Sequence, residues 1–137
     1  MAYKDTFIKV APDSSAVEAT IPDDKRAKKT IHRIQYELLT EKPYHYTHDE
    51  FVFAVYALRQ GFTETELEAN GDAIRADFFK KGHPCMRASA LTKKYGWGAH
   101  YDDAGKIAIY PIESDDYINL VESASDVKLA MRSSRKK

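Results

Sequence analysis

The sequence predicts an α+β fold, with several helices packed on a small, mainly antiparallel sheet that includes a hairpin near 97–112. Three observations carry this. Apolar residues recur at helical spacing through 31–39 and 51–58. Two β-rich runs flank the short loop Asp102-Asp103-Ala104-Gly105. Pro12 and its polar neighbours end an alternating run at Thr6–Val10, which leaves a separate strand near the start.

From the start of the chain, Thr6 to Val10 alternates well enough for a strand, and Pro12-Asp13-Ser14-Ser15 breaks it. Residues 13–29 are polar and read as a loop. Ile31, Ile34, Leu38 and Leu39 then define a helix from about Lys28 to Thr40, stopped by Lys42-Pro43. Thr47 and Glu50 have capping-box spacing, and Phe51, Ala54, Val55 and Leu58 give one apolar face to a second helix ending near Gly61. A third helical pattern covers roughly Glu66 to Lys80, with Leu67, Ile74, Phe78 and Phe79 as core contacts. Asn70-Gly71 interrupts that pattern, as a turn between two short helices would. Ser89 reads as the N-cap of a short helix ended by Gly96, with Gly96 and Gly98 supplying positive φ around Trp97. A strand from Ala99 to Asp102 then meets Lys106 to Ile112, with Gly105 where the hairpin needs a left-handed residue. Ser114-Asp115-Asp116 starts a last helix, and residues 131–137 form a basic tail expected to fray.

The 137 residues suit a single domain spanning 1–137, large enough to bury a core without metal or disulfide staples. One cysteine cannot form an internal bridge. Nothing resembles a secretory leader or an apolar span of about 18 residues, so a soluble, cytoplasmic protein with no membrane partner is expected. Lys plus Arg equals Asp plus Glu at 21 each, which argues against a surface that coats nucleic acid or membrane. The charge is nevertheless segregated: Lys80 to Lys94 holds five basic residues and no acid, and Glu64 to Asp77 holds five acids against Arg75 alone.

Chemistry is sought first in His83–Tyr110, which contains the single cysteine and the single tryptophan. Cys85 lies near Lys80, Lys81, Arg87 and His83, charges that lower a thiol pKa, and His100 is a second candidate for a catalytic role. Against this, a lone cysteine is more commonly a small buried hydrophobe, and no base-orienting group follows from spacing. An anion or nucleotide-like pocket fits the composition better. Arg87 offers a planar fork, Ser89 precedes helix amides, and Lys93 and Lys94 add charge. Tyr95, Trp97, His100 and Tyr101 supply flat surfaces around it. No Gly-rich phosphate loop accompanies these residues, and the bland alternative places Trp97 in the core with Arg87 paired to an acid. His45 and His48 lack the spacing of a recognised zinc motif, so no metal and no cofactor is expected.

The blocks DTFIKVAPD, IQYELL with PYHYTHDE, PCMRASALTKKYGWGAH, KIAIY and a closing AMRSSR resemble a family of small uncharacterised bacterial proteins, a domain of unknown function. The resemblance spans nearly the whole chain and implies a cytoplasmic single domain without implying a reaction. The residues themselves support first a domain that binds a small anionic ligand or a partner through the Cys85–Tyr101 face. A thiol-dependent enzyme using Cys85 comes second, and a protein-interaction or single-stranded nucleic-acid module third. Nucleic acid is disfavoured by the zero net charge, and the sequence leaves both oligomeric state and enzymatic activity open.

Overall fold

The computed structural model describes residues 3–25 and 27–132. In chain order the elements are strand β1 (Thr6–Lys9) and helices α1 (Ile31–Glu41), α2 (His48–Gln60) and α3 (Glu64–Phe78). A 3-10 turn (Met86–Ala88), the short helix α4 (Ala90–Lys93) and strands β2 (Trp97–Tyr101) and β3 (Ile107–Pro111) follow. Helix α5 (Asp115–Ser123) and strand β4 (Asp126–Leu129) close the described chain. One four-stranded sheet runs in the order β3-β2-β1-β4; β2 is antiparallel to both its neighbours, and β4 lies parallel to β1. The chain is therefore α+β with a mostly antiparallel sheet.

Strand alternation sorts side chains onto two faces. Ile8, Trp97, Ala99, Tyr101, Ile107 and Ile109 enter one core cluster with Ile34, Leu39, Phe51 and Val55 from α1 and α2, and with Met86 and Leu91. Phe7 and Val10 pack on the other side with Tyr117 of α5, joined by the half-buried Tyr110, Leu120 and Val121. Each fully buried Phe, Ile or Leu contributes about 1.5–3 kcal/mol relative to exposure, so both faces are needed to hold so small a sheet.

Local chemistry fixes the element ends. The Thr30 hydroxyl accepts from Arg33 N at 3.3 Å, and Thr47 with Glu50 forms the expected capping box. Gly61 ends α2 in the left-handed region at φ 78°. Thr63 and Glu66 form a second capping box, and Ser114 Oγ accepts from Tyr117 N at 3.1 Å to open α5. In the hairpin, Asp102 Oδ1 accepts from both Ala104 N and Lys106 N, and Gly105 takes φ 79°. Gly96 has φ 80°, and a Cβ there would lie 2.7 Å from the Glu18 carbonyl oxygen.

Several boundaries differ from the sequence expectation. Helix α1 starts at Ile31 and not near Lys28, because Thr30 supplies the cap. Strand β2 begins at Trp97 and not Ala99. Gly98 does not take positive φ; it is small because a Cβ would sit 2.6 Å from Tyr117 Cε2 and collide with Phe7. Helix α3 begins at Glu64 and passes through Asn70-Gly71 unbroken. A capping box at one end and the Phe78 ring contacts at the other outweigh a glycine cost of about 1 kcal/mol. None of its residues is buried, so Leu67, Ile74, Phe78 and Phe79 are half-buried and not core residues. Strand β4 was not expected: four residues with little alternation, mostly exposed, leave a weak pattern. The expected frayed tail is held at its first residue, where Met131 N donates to Arg87 O at 2.7 Å. Residues 133–137 of that tail lie outside the described residues.

Candidate functional site

The Cys85–Tyr101 segment is a structural hub. Tyr101 is fully buried, and its hydroxyl accepts from Met86 N at 3.2 Å, which fixes the 3-10 turn against β2. Trp97 is 8% exposed; its Nε1 donates to the Thr20 carbonyl at 2.8 Å and its ring meets Tyr36 edge-on. Ser89 is buried, caps α4 by accepting from Leu91 N, and donates to Gln35 Oε1 at 2.6 Å. The Arg87 Nε donates to the Leu129 carbonyl at 2.8 Å. With the Met131 bond to its own carbonyl, Arg87 clamps the outer side of β4 and is not paired to an acid from α3. Tyr95 stacks on His32 with centroids 5.1 Å apart, Lys93 is half-buried and Lys94 is exposed.

Cys85 and His100 are kept apart. His100 sits on the α5 face of β2, against Phe7, whereas Cys85 meets Tyr3, whose ring packs edge-on against Tyr101 on the opposite face. The half-buried Cys85 Sγ donates to the Tyr3 hydroxyl at 3.6 Å. Burial first, then the Cys85 bond, raises the Tyr3 phenol above its ordinary pKa. His83 faces elsewhere, its ring stacked on Phe78 and its Nε2 donating to Phe78 O at 2.7 Å. The thiol thus has no imidazole partner among the described residues.

His100 belongs to a tether. Tyr44 Oη hydrogen-bonds His100 Nδ1 at 2.8 Å and Tyr110 Oη at 2.6 Å. Burial lowers the His100 pKa and raises that of Tyr44, which keeps both neutral. Tyr44 holds φ 56°, an uncommon conformation for a large side chain, and its amide donates to Ile107 O. The chain between α1 and α2 is thereby pinned to the edge of the sheet. His45 is exposed while His48 is buried, and among the described residues no three His, Cys, Asp or Glu side chains group to hold a metal ion.

A concavity of about 500 Å³ lies elsewhere, between α1, α2 and the segment 77–84. Ile31, Val52, Val55 and Pro84 give it apolar walls. Three rings continue the wall as a stack: Tyr56 on Phe78 at 4.5 Å and Phe78 on His83 at 3.8 Å between centroids. Arg59, Lys81, Gln35 and Gln60 bring polar groups to it. Asp77, the one carboxylate among its described lining residues, lies 3.5 Å from Lys80. Arg59 Nη1 donates to the Lys29 carbonyl at 3.1 Å, and its guanidinium makes no ion pair among the described residues. A second chamber of about 720 Å³ adjoins the first through Arg59 and Gln60, which line both.

Residues 1–136 match a family described as being of unknown function, DUF6157. The chain belongs to that family. No curated protein and no solved structure matches it. Among the described residues no helix is long and apolar enough to cross a membrane.

Arg59, Gln60 and Tyr56 belong to no sequence motif. Their signal was indirect. Phe53, Tyr56, Phe62, Phe78, Phe79 and His83 put six rings into two helices and the turn after them, and such rings need one another where no strand covers them. His83 and Lys81 were noticed as charges near Cys85; in the fold they line the cleft instead.

Proposed function

We propose that this chain is a small-ligand-binding domain whose ligand is an anion with an apolar body, held in the cleft between α1, α2 and residues 77–84. The observation that carries the reading is the Arg59 guanidinium, without a carboxylate partner among the described residues, on a cavity of about 500 Å³ with mostly apolar walls. Small-molecule sites are commonly of this size, apolar with a few placed polar groups. A guanidinium binds carboxylate or phosphate through two parallel hydrogen bonds, and Lys81 adds a second positive charge. The anionic ligand expected from the sequence is retained, and its position moves from the Arg87–Tyr101 face to Arg59.

A thermal-shift panel at constant ionic strength tests this with benzoate, phenyl phosphate and sulfate. Aryl anions are expected to raise the melting temperature more than sulfate does, with stabilisation of about 2.7 kcal/mol at a hundredfold excess over Kd. Arg59→Lys should remove most of the effect, because an ammonium lacks the planar fork. If no aryl anion stabilises the protein, or if Arg59→Lys responds as the parent does, the reading is wrong.

A further inference from the structure

Resting on that reading, we infer that the ligand is a phosphomonoester of a planar ring, of the nucleoside monophosphate kind, lying across both chambers with its ring in the apolar one and its phosphate beside Lys28, Lys42 and Arg59. The two chambers are neighbours that share Arg59 and Gln60 on their linings, so a ligand reaching from one to the other passes these two side chains. Their chemistry differs. In the larger chamber Lys29 Nζ is 2.8 Å from Glu37 Oε1, and Arg33 Nε holds the other Glu37 oxygen at 2.7 Å, so that acid is neutralised within the fold. What remains among the described lining residues is three cations, Lys28, Lys42 and Arg59, and one carboxylate, Glu41. An excess of two positive charges matches a phosphomonoester, which carries about −1.5 to −2 near neutral pH, better than it matches a carboxylate.

The smaller chamber selects the body. Tyr56 and Phe78 line it as parts of a ring stack, and a planar ring extends such a stack where an alkyl chain does not. Two amides also line it. Gln35 Oε1 is taken by the Ser89 hydroxyl, so Gln35 presents its NH₂ as donor, while Gln60 offers both a donor and an acceptor. Amide edges suit a heteroaromatic ring with its own donors and acceptors. A fatty acyl chain would leave them unpaired.

The test uses the full chain and calorimetric titration with AMP, GMP, CMP and UMP, each against its own nucleoside and against inorganic phosphate, at fixed ionic strength. At least one nucleoside monophosphate is expected to bind tenfold or more tighter than its nucleoside, and tighter than phosphate. Lys28 and Lys42 are exposed, so the double variant Lys28→Ala/Lys42→Ala should fold as the parent does. It should lose about tenfold in affinity for the monophosphate while binding the nucleoside unchanged. Equal affinity for monophosphate and nucleoside, or a double variant that binds the monophosphate as tightly as the parent, overturns the inference. If benzoate still binds through Arg59 in that case, the anion-binding reading stands and only the phosphomonoester assignment falls; if no anion binds at all, both fall.

Discussion

The Cys85–Tyr101 segment and the face formed by α2 and α3 use their side chains in opposite ways. In the first, Trp97, Ser89 and Arg87 each hold a partner from a distant part of the chain, Tyr101 holds Met86 within the segment, and the Trp97 and Tyr101 rings are buried. In the second, α3 buries no residue, and Tyr56, Phe78 and His83 stack on one another half-exposed around an opening. Chemically rich residues clustered in sequence are consumed where the sheet needs anchors. Room for a ligand is left beside a helix that buries none of its own residues. If this contrast is right, substitutions of the same kind should have large effects in one region and small or opposite effects in the other.

The largest effect is expected at Trp97. Its ring fills the core between β2 and α1, and its indole N–H satisfies the Thr20 carbonyl, so Trp97→Ala leaves both a cavity and an unpaired acceptor. Loss of about 3–5 kcal/mol should appear in equilibrium urea unfolding, enough to unfold the domain if it is marginally stable. A variant that melts as the parent does would place Trp97 on a surface and break the comparison. Gly98→Ala is the next largest. Added to β2, the methyl group must displace Phe7 and Tyr117, an overpacking that costs about 1–3 kcal/mol.

How much of this was legible follows the same division. The Thr47–Glu50 capping box, Gly61, Gly105 and the Asp102 loop are local signals, and each appears at its expected position, because the sequence neighbours supply the hydrogen bonds. The Thr6–Lys9 strand and the burial of Trp97 were legible for similar reasons. Strand β4 was not, since its pairing with β1 and its Arg87 clamp come from partners far away in sequence and its own residues are mostly exposed. Sequence gives the charge of Arg87 but not the Leu129 carbonyl that accepts from its Nε and ties it to β4. The cleft was hidden for the complementary reason: an arginine that makes no ion pair among the described residues looks, in sequence, like any solvated surface arginine.

A smaller effect, set by pH, should come from one histidine on each side of the contrast, His48 at the start of α2 and His100 on β2. Burial lowers the pKa of both His48 and His100 below the ordinary value of about 6.5. Each is held neutral in the folded state, so the unfolded chain binds protons first as pH falls. Their contribution is therefore complete above about pH 6.5 and is lost as pH drops through the lower folded-state values. Unfolding free energies measured from pH 7.5 down to pH 5 should decline, and His48→Leu/His100→Leu should flatten the slope over that interval. Stability that rises on acidification would contradict the burial of these two rings.

The smallest expected effect, and the one of opposite sign, is at Gly71. It lies in the middle of α3 without a positive φ, and a Cβ added there meets nothing within 4 Å. Gly71→Ala should therefore stabilise the domain, by about 0.4–1 kcal/mol, because alanine restricts the unfolded chain and suits a helix interior. Urea midpoints of Gly71→Ala and Gly98→Ala measured together make a matched pair, the same added methyl group in the loose region and in the dense one. Opposite signs sharpen the comparison. A destabilised Gly71→Ala would mean that the α3 surface is covered in solution, and the contrast between a consumed segment and an open face would have to be given up.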